Sequence, residues 1–141
     1  MSYVYQFISR LEYACPCCST LPPDFSMGNP DSVFIELFEA FKDIREEWGK
    51  PIKISSGYRC PSYNEQVGGV PLSAHVFGLA LDLDCKDTDE VHDLVEVIQD
   101  LHPELRRGAY SSAGTFIHID VAYLIFPRAT HNWQEGLRWY G

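Results

Sequence analysis

Hydrophobic residues recur at three- and four-residue steps between Val33 and Trp48: Val33, Phe34, Leu37, Phe38, Phe41, Ile44 and Trp48. That spacing lays one apolar stripe along a helix over 32–48, with acids on its outer face. Asp31-Ser32 supplies an N-cap and Gly49 a stop. The aromatic residues of the stripe read as core packing. A second stripe, Val91, Leu94, Val95, Ile98 and Leu101, predicts a helix over 88–101, capped by Asp87 and followed by Pro103. Elsewhere the period shortens to two, the signature of strands. Residues 51–56 predict a short strand ended by Gly57-Tyr58-Arg59. Leu79 to Asp84 (LALDLD) predicts another, with Ala80, Asp82 and Asp84 on one side and Leu79, Leu81 and Leu83 on the other. Residues 107–111 and 116–122 predict a strand pair turning at Ser112-Ala113-Gly114. Between the first two strands, 61–66 suits one helical turn and Gly68-Gly69 a tight turn.

The two ends are less regular. Residues 1–31 are broken by Cys15-Pro16 and Leu21-Pro22-Pro23 and predict an irregular arm. Tyr3, Tyr5, Phe7, Ile8 and Leu11 are expected to lay it over the domain surface. Trp133, Leu137 and Trp139 recur at roughly helical spacing and predict a closing helix. No repeat, linker or low-complexity segment interrupts the chain, so the expectation is one domain over 1–141.

Composition narrows the function classes. The 141 residues are 45% apolar and 22% charged, ordinary for a packed domain. The formal net charge is -9, without the Lys/Arg cluster that nucleic acid or an anionic membrane would require. Neither is expected as a partner, whereas an acidic pocket can hold a dication. No basic segment followed by an apolar core opens the chain, and no apolar run has transmembrane length. The expectation is synthesis in a cytoplasm without a signal peptide. Of the five cysteines, Cys15, Cys17 and Cys18 crowd together, with Cys60 and Cys85 apart. Cys15 to Cys18 resembles half a zinc ribbon, but the completing pair is missing. Reduced thiols or one local disulfide is the expected state. A structural metal clip drawing on Cys60 or Cys85 is the alternative.

The chemistry concentrates in Ser55–Asp84 and in Phe116-Ile117-His118-Ile119-Asp120. Gly78 lets the chain bend between His75, ahead of a strand, and Asp82, within it, so both can reach one spot. On a helix, seven residues would hold them roughly 10 Å apart along the axis. A carboxylate inside an apolar strand is costly to bury unless something pairs with it. His118 and Asp120 share one face of their strand by alternation. Alone, His75 suits a loop histidine bonded to backbone. Together, His75, Asp82 and His118 make the ligand set of an open zinc site, with one place left for water. Arg59 could hold a substrate carboxylate, stabilise an oxyanion, or form a structural salt bridge, for instance to Asp84.

Ser56-Gly57-Tyr58-Arg59, Asn64, Gly68-Gly69, Ser73-x-His75-x-x-Gly78-x-Ala80-x-Asp82 and the Phe-Ile-His-Ile-Asp run resemble the zinc D-alanyl-D-alanine carboxypeptidase family. Its relatives include phage L-alanyl-D-glutamate endolysins and, by fold, the amino-terminal domain of hedgehog proteins. The resemblance covers about 33–122. It implies an α+β fold whose small antiparallel sheet, flanked by helices, carries one zinc per chain. It implies His75, Asp82 and His118 as zinc ligands, Arg59 as a catalytic and substrate-binding residue, and Ser73 as a substrate-binding residue that lines the pocket or orients its neighbours. A water activated by the metal would attack a peptide carbonyl of a peptidoglycan stem peptide. The general base of the carboxypeptidases stands three residues before the last histidine. Here that residue is Thr115, whose hydroxyl cannot accept a proton at useful pH. Asp120 is the nearest candidate, either as base or as the partner that orients His118. The resemblance therefore implies a zinc peptidase of the cell wall, with a phage or prophage lysis or virion protein as its natural setting. The alternative is a zinc-binding structural or binding module without turnover.

Overall fold

A computed structural model describes residues 2–26, 32–126 and 135–141. In chain order the elements are β1 (Tyr3–Tyr5), β2 (Ile8–Ser9), α1 (Arg10–Tyr13), α2 (Val33–Trp48), β3 (Ile54–Ser56), α3 (Pro61–Gln66), β4 (Ala80–Asp84), α4 (Thr88–Leu101), β5 (Arg106–Tyr110), β6 (Phe116–Asp120) and β7 (Arg138–Tyr140). Short 3-10 turns stand at Ala74–Phe77 and Ala122–Leu124. The class is α+β, as the sequence predicts.

The five-stranded sheet runs β3-β4-β6-β5-β7. The first four strands pair antiparallel, and β7 joins β5 in parallel. Alternation sorts its two faces. Leu81 and Leu83 of β4 and Ile117 and Ile119 of β6 point into the core, where Phe38, Phe41 and Ile44 of α2 and Val91, Leu94 and Ile98 of α4 meet them. Each such burial contributes about 1.5–3 kcal/mol. The register sets Asp82 opposite His118, Ala80 opposite Asp120, Gly108 opposite His118 and Arg106 opposite Asp120. The opposite face of the three central strands therefore carries the polar residues.

Helix α2 begins where its sequence provides a cap, Ser32 Oγ accepting from the Phe34 N–H, and ends at Gly49 with φ 78°. The apolar stripe holds less well in α4. Val95 is only partly buried at the margin of the core, and Leu101, the last residue of the helix, is exposed.

Three expectations need correction. The arm is not irregular throughout: over Tyr3–Tyr13, β1 and β2 form a hairpin, and Ser9 and Glu12 close a reciprocal capping box around α1, while 14–26 carry no helix or strand. Nor is it a surface layer, for Ile8, Tyr13 and Cys15 lie in the main core while Leu11 is exposed. Glu12 Oε2 also accepts the Ile54 N–H at the free edge of β3, giving the arm a polar anchor on the sheet. Third, no closing helix carries Leu137 and Trp139: Trp139 lies on β7 and Leu137 just before it, its carbonyl accepting the Arg107 N–H. Pairing with β5 won over helical spacing. Trp133 and Asp31 lie outside the described residues.

Candidate metal centre

The His75 turn is built by short-range hydrogen bonds. Ser73 Oγ accepts the His75 N–H, opening the 3-10 turn Ala74–Phe77, and Gly78 closes it with φ 73°. A Cβ on Gly78 would stand 2.3 Å from Pro22 Cγ and 2.6 Å from Tyr13 Oη, so the arm presses against this bend. Tyr13 Oη donates to the Gly78 carbonyl at 2.6 Å. The chain then enters β4, and His75 is aimed back at Asp82.

Three donor atoms converge. Asp82 Oδ1 lies 3.1 Å from His75 Nε2 and 3.1 Å from His118 Nδ1. A tetrahedral ion with ligands at about 2.0–2.1 Å sets its ligand atoms about 3.3 Å apart, so the three fit one zinc. The outer nitrogens are both occupied. His75 Nδ1 lies 2.6 Å from the Gly57 carbonyl, and His118 Nε2 lies 2.6 Å from Asp120 Oδ2. Such contacts fix ring orientation and leave the inner nitrogen for a metal. His75 is thus both a backbone-bonded loop histidine and a candidate ligand.

Protonation follows from these contacts. Burial pushes the His75 imidazole below its ordinary value, outweighing the Asp82 carboxylate and favouring the neutral form a metal needs. Burial pushes Asp82 upward, yet hydrogen bonds from His118 and His75 hold it below the usual carboxylate range. Burial also disfavours charge on His118, but Asp120 and Asp82 on either side raise it to about 9. Zinc entering this centre near neutral pH therefore displaces a proton from His118.

Asp120 is fully buried and takes three donors: His118, Arg106 Nη1 at 2.7 Å, and the Ala122 N–H at 3.1 Å. Arg59 sits at the rim of the centre. Its Nη2 lies 3.5 Å from Asp82 Oδ2, its Nε donates to Ser56 Oγ and its Nη1 to Asn64 Oδ1. Its carboxylate neighbour is thus Asp82 and not Asp84, whose side chain is exposed beyond the site. Thr115 points elsewhere, its hydroxyl donating to the Cys85 carbonyl at 2.6 Å. Arg59, Ser73, His75, Asp82, His118 and Asp120 all line one open cleft of about 660 Å³.

The residues 16–120 match the family model described as Peptidase M15. The chain belongs to the peptidase M15 family. M15 peptidases are zinc enzymes, and the converging His/Asp/His donors suit that metal. A comparison with curated proteins finds no match. The match ends at Asp120, so β7 and the wall it adds to the cleft lie beyond it.

Arg106, Tyr110 and Trp139 line the M15 cleft, and Asn64 braces it, without a role in the sequence reading. Arg106 lies one position before the predicted strand, but β5 begins with it, and alternation through Gly108 and Tyr110 could have placed it on the polar face. Trp139 crosses Gly108, where a Cβ would stand 2.2 Å from Trp139 Nε1. A glycine inside a strand is the signal for such close approach. Trp139 donates to Tyr110 Oη at 2.6 Å and lies 5.4 Å from the His118 ring, centroid to centroid. Asn64 joins Arg59 to the Val70 carbonyl, bracing the opposite wall.

One prediction arises from this geometry. Asp120→Asn keeps the shape but removes the charge facing His118 and Arg106. Zinc affinity at the centre should fall about 10–100-fold. Competition with a chromophoric chelator checks it, and unchanged affinity would show that Asp120 does not support His118.

Proposed function

We propose that this M15 protein is a zinc-dependent peptidase that hydrolyses peptidoglycan stem peptides, by trimming terminal D-alanine or cutting an internal L,D bond. One observation carries the reading: donor atoms of His75, Asp82 and His118 meet in an open cleft beside the Arg59 guanidinium. When bound there, zinc supplies Lewis acidity and a water acidic enough to react near neutral pH.

The chain's own residues do the rest. His75, Asp82 and His118 hold the ion, and Gly57 and Asp120 keep the two imidazoles turned inward. Arg59 spends one N–H each on Ser56 and Asn64, and its Nη2 stands in an ion pair with Asp82 at 3.5 Å. A guanidinium has five N–H groups, so three remain, both of Nη2 among them, to grip a substrate carboxylate or polarise the scissile carbonyl. Ser73 lines the cleft while its hydroxyl shapes the His75 turn. Val70 and Leu72 on the rim are exposed and suit the apolar parts of a stem peptide. Asp120, buried and holding three donors, suits the orienting role better than that of a base. A wall substrate suits a phage or prophage lysis or virion protein.

A second reading has its own support. Among the described residues lining the cleft, the carboxylates are Asp82 and Asp120, and both are engaged. With Thr115 turned away, no carboxylate lining the cleft among the described residues stands free to take a proton. The protein would then keep fold and zinc as a structural or binding module, for instance in a phage particle. Incubation of the zinc-loaded protein with purified peptidoglycan separates the two. Mass spectrometry should find free D-alanine or new amino termini. Bound zinc without product from any muropeptide would leave the module.

A further inference from the structure

We propose a second metal site, a structural zinc held by the four thiols of Cys15, Cys17, Cys18 and Cys60. Their sulfurs all lie within 4.8 Å of one another. Cys17 Sγ stands 3.5 Å from Cys15 Sγ and 3.5 Å from Cys60 Sγ. These separations are far longer than the roughly 2.05 Å of a disulfide. They approach the edge of a zinc–thiolate tetrahedron, about 3.8 Å for Zn–S bonds near 2.3 Å. Four soft sulfur donors at this size select zinc among the common cellular dications.

The backbone is wound to present these thiols. The Cys15 N–H donates to the Thr20 carbonyl and the Ser19 N–H to the Cys15 carbonyl. Ser19 adopts a left-handed conformation with φ 59°, which closes the loop around its three sulfurs. Cys60 comes from a distance as the N-cap of α3. It supplies the ligand that the local sequence lacks. Two backbone N–H groups point at sulfur: Cys60 N–H at Cys15 Sγ and Tyr63 N–H at Cys60 Sγ, both at 3.4 Å. On metal binding four Zn–S bonds form and the four S–H protons leave to solvent, so the site carries net negative charge. The two N–H donors offset part of it. Cys85 is buried elsewhere, beside the Leu83 carbonyl, and is not a ligand.

The clip has a consequence for the cleft. It joins the arm to the residue next to Arg59. The same segment is sewn to the arm by the Tyr58 N–H on the Tyr13 carbonyl and to the His75 turn by the Arg59 N–H on the His75 carbonyl. A metal here fixes the strand end that presents Arg59 and the Gly57 carbonyl.

Metal counting tests the proposal independently of peptidase activity. Protein purified without chelator should carry two zinc per chain by elemental analysis, and His75→Ala should retain one. Cobalt substitution in His75→Ala should give an intense near-ultraviolet thiolate-to-metal band. Cys17→Ser, at an exposed position, should weaken zinc retention at the clip at least 10-fold and lose most of that band, while Cys85→Ser changes neither. One zinc in the wild type and none in His75→Ala would overturn the site. So would a disulfide among the four cysteines in the unreduced protein, or four freely reactive thiols in the zinc-replete chain. Those results would leave the His/Asp/His centre untouched.

Discussion

His75→Ala should strip zinc from the His/Asp/His centre and cut peptide hydrolysis by about 10³-fold or more, roughly 4 kcal/mol of transition-state stabilisation. The size follows from the geometry. Two imidazole nitrogens share one Asp82 oxygen, and removing His75 leaves a two-donor site for a metal that takes three protein ligands in catalytic centres. The variant also orphans the Gly57 carbonyl, which now meets the outer nitrogen of the ring. That costs about 1–3 kcal/mol of stability. Elemental analysis alongside a thermal melt separates the two losses. A folded variant that keeps full metal content would refute the ligand assignment.

Tyr13→Ala should be the most damaging single change outside the metal centre, costing about 3–5 kcal/mol in a denaturant melt. The side chain is fully buried, packs edge-on against Phe38 with ring centroids 5.1 Å apart, and touches Phe25. Its hydroxyl also holds the Gly78 carbonyl, at the bend that aims His75. Zinc affinity should therefore fall with stability. Tyr13→Phe isolates the polar part, since it keeps the ring and leaves one buried carbonyl short of a donor. It should cost about 1–3 kcal/mol. A Tyr13→Ala protein as stable as the wild type would mean that the arm is surface cover after all.

The contrast between those positions shows what the sequence makes legible. Helix α2 is written in one stripe with a cap at Ser32 and a stop at Gly49, and its bounds follow from local chemistry. The strand alternation of LALDLD and FIHID likewise sorts Asp82, His118 and Asp120 onto one face before any pairing is known. The arm was harder because its hairpin is short and its burial depends on α2 and Gly78, distant in sequence. β7 was hidden for another reason. Leu137 and Trp139 are spaced as a strand could also space them, and only the vacant edge of β5 and the bare backbone of Gly108 decide between the two. The thiol cluster shows the same limit, since Cys60 reaches it across the 41 residues that follow Cys18.

The most direct measurement is a zinc titration of the metal-free protein against a defined muropeptide, following cleavage by mass spectrometry and occupancy of the His/Asp/His centre in parallel. Cleavage should rise in proportion to that occupancy and stay flat in His75→Ala. Full occupancy of the centre with no bond cut in any stem peptide would contradict the peptidase account.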